Sequence, residues 1–311
     1  MGAGLTGQSW AALFASKGCS VVMQDTSERI LAQARKQFTA ILTMLEKGGV
    51  IGRKRSAYAR TMLRTTTDLS EAVGDAEYVQ ESIYENYRLK QAVFKRIEKY
   101  ASRNAILASS TSGLLISKIQ ERLEGRERCL IAHPFNPVHL IPLVELVPGR
   151  WTSRKTIDSV YDFMLSIGKV PIKVAKELSG HVANRLTAAL WREAIDMLIR
   201  GVASAEDIDR ACKYGPGLRW AVQGPFLSYH LGGGPEGIDW FVKQLTPSFE
   251  LRWKTLATWT KLPKDSQLRI VRSVRNMTAV KNDSYNVLIR RRDEQLMELL
   301  RIGMKFSGKQ P

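Results

Sequence analysis

The sequence predicts an α/β fold, in which a parallel sheet with helical crossovers is followed by an all-α domain. Two observations predict this order. Short β-rich runs alternate with longer helical segments up to about residue 177, and only helical periodicity remains after Gly180. We therefore expect two domains, residues 1–177 and residues 178–311, because a chain of 311 residues exceeds the roughly 250 residues that one core normally organises.

The predicted strands are short runs rich in apolar residues. They are residues 20–23, 78–79, 105–108, 129–132, 140–147 and 169–174. Helical segments over residues 30–46 and 89–100 separate the first of them. Strands that alternate with helices form a parallel sheet, and such sheets bind ligands at the carboxyl ends of their strands. Pro142 marks the beginning of its strand, because proline cannot donate a hydrogen bond to a neighbouring strand.

Beyond Gly180 the apolar residues recur at helical spacing. Residues 182–201 predict a long amphipathic helix, and Ser204 is suited to cap the helix that follows it through residue 213. We expect the last helix over residues 290–302 and a loose tail over residues 303–311. The second domain is therefore predicted to be largely helical.

The composition limits the partners that the protein takes. The chain carries a formal net charge of +17 at pH 7, yet its basic residues are spread along the sequence and accompany no nucleic-acid-binding module. It contains no run of about 18 apolar residues, and no basic segment leads into an apolar one at its start. We expect a cytoplasmic protein whose partner is neither nucleic acid nor a membrane.

The chain begins with a glycine-rich loop. Gly2, Gly4 and Gly7 match the pattern G-x-G-x-x-G, in which glycines allow a tight turn, a close approach of the backbone to a pyrophosphate, and close packing of the next helix. Asp25 follows the next predicted strand, where a carboxylate binds ribose hydroxyls and repels a 2′-phosphate. The loop therefore predicts NAD rather than NADP as the cofactor. The alternative is a plain glycine turn, with Asp25 as the N-cap of a helix.

The position of this loop is unusual. The pattern normally follows a buried strand of a Rossmann-type sheet, but only Met1 precedes Gly2. We therefore expect the first strand to be missing from the sheet. Two explanations remain open, a shortened start of the sequence or compromised cofactor binding.

His133 and Glu145 are the strongest candidates for catalysis. His133 follows one predicted strand directly, and Glu145 lies within the next. Oxidation of a secondary alcohol needs a base for the hydroxyl proton, and a carboxylate on the second ring nitrogen fixes the tautomer and stabilises the imidazolium. A purely structural pair is the alternative. The histidines that compete for the role of base are His139, His181 and His230, and the sequence carries no metal-binding motif.

These residues belong to a wider set of motifs. Ser-Ser-Thr-Ser-Gly over residues 109–113, His-Pro-Phe-Asn-Pro over residues 133–137, Glu145, and Gly-His-Val-Ala-Asn-Arg-Leu over residues 180–186 occur in the order and spacing of the 3-hydroxyacyl-CoA dehydrogenase family. The chain resembles that family over nearly its whole length. The resemblance implies an NAD-dependent enzyme that is a homodimer joined through its helical domain.

The same resemblance implies roles for individual residues. By it His133 is the general base, and Glu145 is the carboxylate that orients it. Ser112 and Asn184 hold the substrate oxygen and the reacting groups, since hydroxyl and amide donors stabilise a developing ketone oxygen. The residues implied to contact the cofactor or to line its site are Glu85, Lys90 and Asn136.

The second domain narrows the resemblance. Residues 215–221 and 224–234 resemble the branch that contains L-carnitine dehydrogenase and lambda-crystallin, a gulonate dehydrogenase. Ser110 stands where fatty-acyl members typically carry Asn, which argues against a long acyl-CoA substrate. Aromatic faces bind a quaternary ammonium group such as that of carnitine, and arginine binds its carboxylate. The candidates are Trp220, Phe226 and Tyr229 for the cation and Arg219 for the carboxylate, with core packing as the alternative for the aromatic residues.

We therefore expect NAD-dependent oxidation of a small 3-hydroxy acid, with L-carnitine as the leading substrate and 3-dehydrocarnitine as its product. A short-chain 3-hydroxyacyl-CoA and L-gulonate are the alternative substrates. A non-catalytic relative with compromised NAD binding is the alternative from another class of protein.

Overall fold

The computed structural model describes residues 1–306, with side chains through Ile302. The chain divides into two compact units, of which the first spans Met1–Arg185 and the second begins at Leu186. Residues 303–306 of the predicted tail are helical, so the prediction of a loose tail is wrong for them. Residues 307–311 of that tail lie outside the described residues.

The first unit is an α/β domain. Its strands are β1 (Val21–Gln24), β2 (Leu63–Thr66), β3 (Tyr78–Glu81), β4 (Ile106–Ser109), β5 (Cys129–Pro134), β6 (Leu143–Pro148) and β7 (Val170–Lys173). Its helices are α1 (Leu5–Lys17), α2 (Glu28–Lys47), α3 (Arg53–Thr61), α4 (Leu69–Val73), α5 (Tyr87–Tyr100), α6 (Ile116–Gln120) and α7 (Arg154–Ser166). The predicted alternation of strands and helices is therefore confirmed.

The main sheet has the strand order β3-β4-β5-β6-β7. Its neighbouring strands are parallel except for β5 and β6, which pair in antiparallel orientation. The predicted parallel sheet is thus confirmed, with one exception that sequence reasoning missed. The connection between Pro134 and Leu143 explains the exception, because it is shorter than the dozen or more residues that a parallel crossover requires.

Helices cover both faces of the main sheet. On one face Phe94 and Ile97 of α5 are buried with Leu107 of β4. On the other face Trp10 of α1 and Val160 of α7 belong to a second buried cluster. Covered faces leave the carboxyl ends of the strands as the edge where polar side chains gather.

Strands β1 and β2 pair in parallel in a sheet of their own. The N–H of Gly2 donates to the carbonyl oxygen of Gln24 at the end of β1, at 2.9 Å. On the other side, the amino group of Met1 donates to Gln80 O at 3.1 Å, and the carbonyl oxygen of Met1 accepts from Ser82 N at 2.9 Å. Met1 therefore has the bonding pattern of one residue of a parallel strand next to β3.

An apolar cleft of about 700 Å³ extends from Met1 between the two sheets. Its lining includes Val22 of β1, Val79 of β3, and Trp10 and Phe14 of α1. No strand precedes α1 among the described residues, as the sequence predicts. The cleft therefore lies where a Rossmann-type sheet has its first strand. Met1 and Gly2 link β1 to β3 at the end of the cleft that lies next to the carboxyl ends of these two strands.

The second unit is helical, which confirms the predicted all-α domain. It contains most of α8 (Ala183–Ile199), and then α9 (Ala205–Tyr214), α10 (Pro216–Trp220), α11 (Pro225–Gly232), α12 (Gly237–Trp253), α13 (Ser266–Asn276), α14 (Thr278–Asn282) and α15 (Tyr285–Phe306). Ser204 caps α9 as predicted, since its side chain accepts from the N–H of Asp207. Within residues 1–306, every helix is too short or too polar to cross a membrane.

Candidate active site

His133 and Glu145 face each other across the antiparallel pair of strands. His133 lies in β5 directly opposite Glu145 in β6. Their side chains meet at 2.7 Å between His133 Nδ1 and Glu145 Oε2, and both residues are buried, with exposed fractions of 5% and 0%. The short connection from β5 to β6 thus brings together two side chains that the sequence singled out.

The second carboxylate oxygen of Glu145 binds the start of α8. Its Oε1 accepts the backbone N–H groups of Val182 and Ala183, each at 2.9 Å. Burial opposes ionisation of Glu145, but the hydrogen bonds from His133 and from these two N–H groups outweigh it, so the pKa of Glu145 lies below its usual value. Glu145 therefore stays ionised at neutral pH and accepts a hydrogen bond from the imidazole of His133.

An ionised carboxylate accepts hydrogen bonds only, so the nitrogen of His133 that faces it carries the proton. Neutral His133 consequently has its lone pair on Nε2. This nitrogen has no hydrogen-bond partner among the described residues. The arrangement holds an imidazole by one nitrogen and leaves the other able to take up a proton.

Ser112 lies in the loop that follows β4, and Glu85 holds this loop. Glu85 Oε1 accepts the N–H groups of Ser112 and Gly113, each at 3.0 Å, and the hydroxyl of Thr111. Asn184 approaches the same loop, with its Nδ2 at 3.5 Å from Ser112 O. The structure therefore brings Ser112, Asn184 and Glu85 together at the carboxyl end of β4.

Lys90 is buried beside this loop, with an exposed fraction of 1%. Its Nζ donates to Glu81 Oε1 at 2.7 Å and to Ile83 O at 3.2 Å, and it lies 3.6 Å from Glu85 Oε2. Glu81 also accepts the hydroxyl of Ser109 at 2.6 Å. Sequence reasoning missed Glu81, which is the nearest partner of Lys90 and whose own position gives no local sequence signal.

The glycine-rich loop fits a nucleotide pyrophosphate. Gly2 has a φ of 79°, which favours glycine, and a Cβ on Gly7 would overlap the carbonyl oxygen of Gly2. Gly4 is the N-cap of α1 without a side-chain cap, and a Cβ there would meet open space. The first N–H groups of α1 thus remain available for an anion.

Asp25 lies where a ribose-binding carboxylate is expected. Its Oδ1 accepts the N–H of Thr26 at 2.8 Å and the Thr26 hydroxyl at 3.5 Å. Its Oδ2 accepts the N–H of Ala3 at 2.8 Å, which leaves this oxygen a further lone pair. The N-cap of α2 is Ser27 rather than Asp25. The geometry therefore fits the predicted cofactor position better than the alternative of a helix cap.

A small cavity of about 170 Å³ connects these elements within the first unit. Its lining includes Thr6 of α1, Ser82 after β3, Glu85, Lys90 and Ser112. The cavity therefore reaches from the start of α1 to the loop that carries Ser112. The predicted contact of Glu85 and Lys90 with the cofactor is compatible with this lining.

Asn136 is exposed in the connection between β5 and β6, shortly after His133 in the sequence. The buried side chain of Lys169 binds the backbone of this connection. The Lys169 ammonium donates to the carbonyl oxygens of Val138 and of Ile141, the latter at 2.7 Å. Sequence reasoning missed Lys169, because a lysine at the first position of a predicted strand normally points to solvent.

Lys169 makes the stability of the fold depend on pH. Burial, aided by repulsion from Lys17, lowers the pKa of Lys169 from 10.5 to about 7. The unfolded chain therefore binds more protons than the folded chain between about pH 7 and pH 10, and the free energy of unfolding rises with pH in this window. The rise approaches about 1.4 kcal/mol per pH unit.

The Lys169→Met variant is expected to lack this rise. Denaturant unfolding at about pH 7, 8 and 9 measures the slope for each protein. Lys176→Met, which replaces an exposed lysine of the same unit, is the matched control and keeps the wild-type slope. Equal slopes in the Lys169→Met variant and the wild type would contradict the assignment.

The candidate substrate residues of the second unit lie on two short helices. Arg219 and Trp220 belong to α10, and Phe226 and Tyr229 belong to α11. Phe226 is 85% exposed, whereas Tyr229 stacks on Phe241 with ring centres 4.7 Å apart. Among the described residues, no ring contact joins Trp220, Phe226 and Tyr229 to one another. The stacking of Tyr229 on Phe241 is the packing expected of a core residue.

The competing histidines have other surroundings. His139 is half-buried in the connection after β5, and His230 on α11 accepts the N–H of Ile238 through Nδ1 at 3.2 Å. His181 is buried, with its ring centre 5.2 Å from that of His133. His133, in contrast, is bound to the carboxylate of Glu145.

The chain matches the models of a known family in both of its parts. Residues 1–178 match the model described as 3-hydroxyacyl-CoA dehydrogenase, NAD binding domain, and residues 180–273 match the model of the C-terminal domain of 3-hydroxyacyl-CoA dehydrogenase. The chain therefore belongs to the 3-hydroxyacyl-CoA dehydrogenase family. It is an NAD-dependent oxidoreductase that acts on CH–OH groups.

Individual relatives extend this likeness over nearly the whole chain. An L-carnitine dehydrogenase of Bacillus cereus is 39% identical over 306 residues, which are 98% of this chain and 92% of the relative. The solved structure of 5-formyl-3-hydroxy-2-methylpyridine 4-carboxylic acid 5-dehydrogenase, an NAD⁺-dependent dismutase, has a TM-score of 0.83 at 28% identity, covering 99% of this chain and 97% of that one. The (S)-3-hydroxybutyryl-CoA dehydrogenase of Ralstonia eutropha has a TM-score of 0.65 at 30% identity, covering 80% and 85%.

Proposed function

We propose that this enzyme oxidises L-carnitine to 3-dehydrocarnitine, with His133 as the general base and Glu145 as the carboxylate that orients it. The observation that carries the proposal is the buried contact of 2.7 Å between His133 Nδ1 and Glu145 Oε2, with His133 Nε2 left without a partner among the described residues. An oriented imidazole with one open nitrogen is suited to accept the proton of a hydroxyl group.

Bound NAD would accept the hydride from the carbon that bears the hydroxyl. His133 Nε2 takes the hydroxyl proton, and the carboxylate of Glu145 stabilises the imidazolium that results. Ser112 and Asn184 lie close enough together to hold the substrate oxygen between a hydroxyl and an amide while it becomes a ketone. The residues that would hold the cofactor are Gly2, Gly4, Gly7 and Asp25, and the further residues proposed to contact it or to line its site are Glu85, Lys90 and Asn136.

The choice of L-carnitine as substrate rests on the similarity to L-carnitine dehydrogenases and on the chemistry of four side chains. Arg219 is an exposed cation that is suited to a carboxylate. The exposed rings of Trp220 and Phe226 are suited to a trimethylammonium group. Tyr229 contributes less directly, because it is packed on Phe241.

The homodimer is likewise a proposal. The second unit exposes large apolar side chains on α8, among them Leu186 at 61% and Trp191 at 54%. Exposed apolar side chains of this kind are typical of surfaces that bury themselves against a partner. A second copy of the helical unit is the partner that the family resemblance implies.

The formation of NADH tests the function. The purified chain is incubated with NAD and, in separate reactions, with L-carnitine, 3-hydroxybutyryl-CoA or L-gulonate. We expect the highest kcat/KM for L-carnitine, and a far lower value when NADP replaces NAD, because Asp25 repels a 2′-phosphate. A higher kcat/KM for either of the other substrates would reassign the substrate. No NADH with any of the three would contradict the proposal and favour a non-catalytic relative.

A further inference from the structure

His181 has an unusual backbone conformation next to the proposed base. Its φ is 48°, in the left-handed region, directly after Gly180 with a φ of 80°. A residue with a Cβ costs roughly 1 kcal/mol in this region, and such residues persist where the surrounding structure over-determines them. The exposed fraction of His181 is 2%, so its side chain is fixed inside the first unit.

His181 touches three parts of the candidate site. Its Nε2 lies 3.0 Å from Thr111 O, in the loop that carries Ser112. Its ring is tilted against that of His133, with centres 5.2 Å apart and planes at 58°. The two residues after it, Val182 and Ala183, donate their N–H groups to Glu145 Oε1.

The contact with Thr111 defines the tautomer of His181. A carbonyl oxygen only accepts, so the proton lies on Nε2 and a neutral ring has its lone pair on Nδ1. Nδ1 is buried and has no hydrogen-bond partner among the described residues. The bond from Nε2 is therefore the polar contact that holds this imidazole, and it joins the start of α8 to the loop after β4.

We propose that His181 is a positioning residue, whose Nε2–H fixes the Thr111–Ser112 loop relative to the ring of His133. This inference rests on the proposed function, because it assumes that Ser112 binds the oxygen from which His133 takes the proton. Reacting groups must be aligned within a few tenths of an ångström, and a misplacement of about 1 Å costs about a hundredfold in rate. His181 supplies that alignment through one hydrogen bond and one ring contact.

Two variants separate positioning from mere packing. His181→Phe keeps a ring against His133 but has no donor for Thr111 O, and we expect kcat for L-carnitine to fall about ten- to a hundredfold with less than about a threefold change in the Kd for NADH. His181→Gln places an amide N–H near the position of Nε2, and we expect it to restore most of kcat. Thermal unfolding of both variants establishes that they are folded.

The outcomes distinguish this inference from the proposed function. A wild-type chain that forms no NADH with any substrate overturns the proposed function. A wild-type chain that is active, with a His181→Phe variant within about twofold of its kcat, overturns the positioning role. Nitrogen-15 NMR of the imidazoles gives a readout that needs no turnover: we expect a protonated Nε2 and a bare Nδ1 in His181, and the opposite tautomer would overturn the hydrogen bond to Thr111.

Discussion

The His133→Gln variant is expected to lose activity by a factor of about 10²–10⁴ in kcat for L-carnitine, because glutamine cannot take up a proton at neutral pH. NADH binding is expected to remain within about twofold of the wild type. His133 is a buried residue of β5 and bonds to Glu145 of β6, while the glycine-rich loop lies on other elements of the first unit. The base and the cofactor loop are thus separable by mutation.

Turnover and NADH fluorescence titration, measured on the same preparation, check this result. His139→Gln is the matched control, since His139 is a half-buried histidine of the same connection without a place in the proposed chemistry. We expect its kcat within about twofold of the wild type. A parallel loss of turnover and of NADH binding in His133→Gln would show that His133 supports the fold rather than the reaction.

The Gly7→Ala variant is expected to weaken NADH binding about ten- to a hundredfold. A Cβ at this position overlaps the carbonyl oxygen of Gly2, whose N–H in turn bonds to Gln24 O at 2.9 Å. Relieving the overlap displaces Gly2 or the start of α1, and overpacking of this kind costs about 1–3 kcal/mol. Each 1.4 kcal/mol of lost binding energy is tenfold in Kd.

Gly52→Ala is the matched control for this variant. Gly52 has a φ of −76° at the N-cap of α3, and a Cβ there would meet open space. We expect its Kd for NADH to equal that of the wild type. An unchanged Kd in Gly7→Ala would mean that the loop does not cradle the cofactor, which would favour the alternative of a simple glycine turn.

Strands and helices with strong apolar patterns were predicted from the sequence, and elements with weak apolar patterns were missed. The runs around Val79, Leu107 and Ile131 are apolar and became neighbouring strands, and α2 and α5 follow their helical periodicity. Strand β2 has the sequence Leu-Arg-Thr-Thr, and its polar residues hide it from an apolar pattern. Residues 63–66 form a strand because they pair with β1, and such pairing is a tertiary contact that cannot be read from a single sequence.

The candidate site was predicted in part for the same reason. Motif spacing indicated His133 and Glu145, and the structure places them opposite each other. The contacts of Glu81 with Ser109, of Lys169 with Ile141 and of His181 with Thr111 join elements that are distant in sequence, so no local signal reveals them. Their shared property is burial of a polar group, which becomes visible only when the surrounding elements are in place.

The position of the glycine-rich loop in the sequence predicted where the sheet lacks a strand. The glycine-rich loop demands a strand before Gly2, and the structure has a cleft of about 700 Å³ at that place. Met1 and Gly2 still bridge β1 and β3 by hydrogen bonds. The loop is therefore anchored to both sheets, and we expect the wild type to bind NADH with an affinity that Gly7→Ala reduces.

The central claim is that Glu145 acts in the reaction through His133, and a double-mutant cycle on turnover of L-carnitine tests it most directly. The kcat is measured for the wild type, His133→Gln, Glu145→Gln and the double variant. We expect Glu145→Gln alone to reduce kcat, and the double variant to lie within about twofold of His133→Gln, because an orienting carboxylate has no role without its base. Losses that multiply in the double variant would show that the two residues act independently and would contradict the claim.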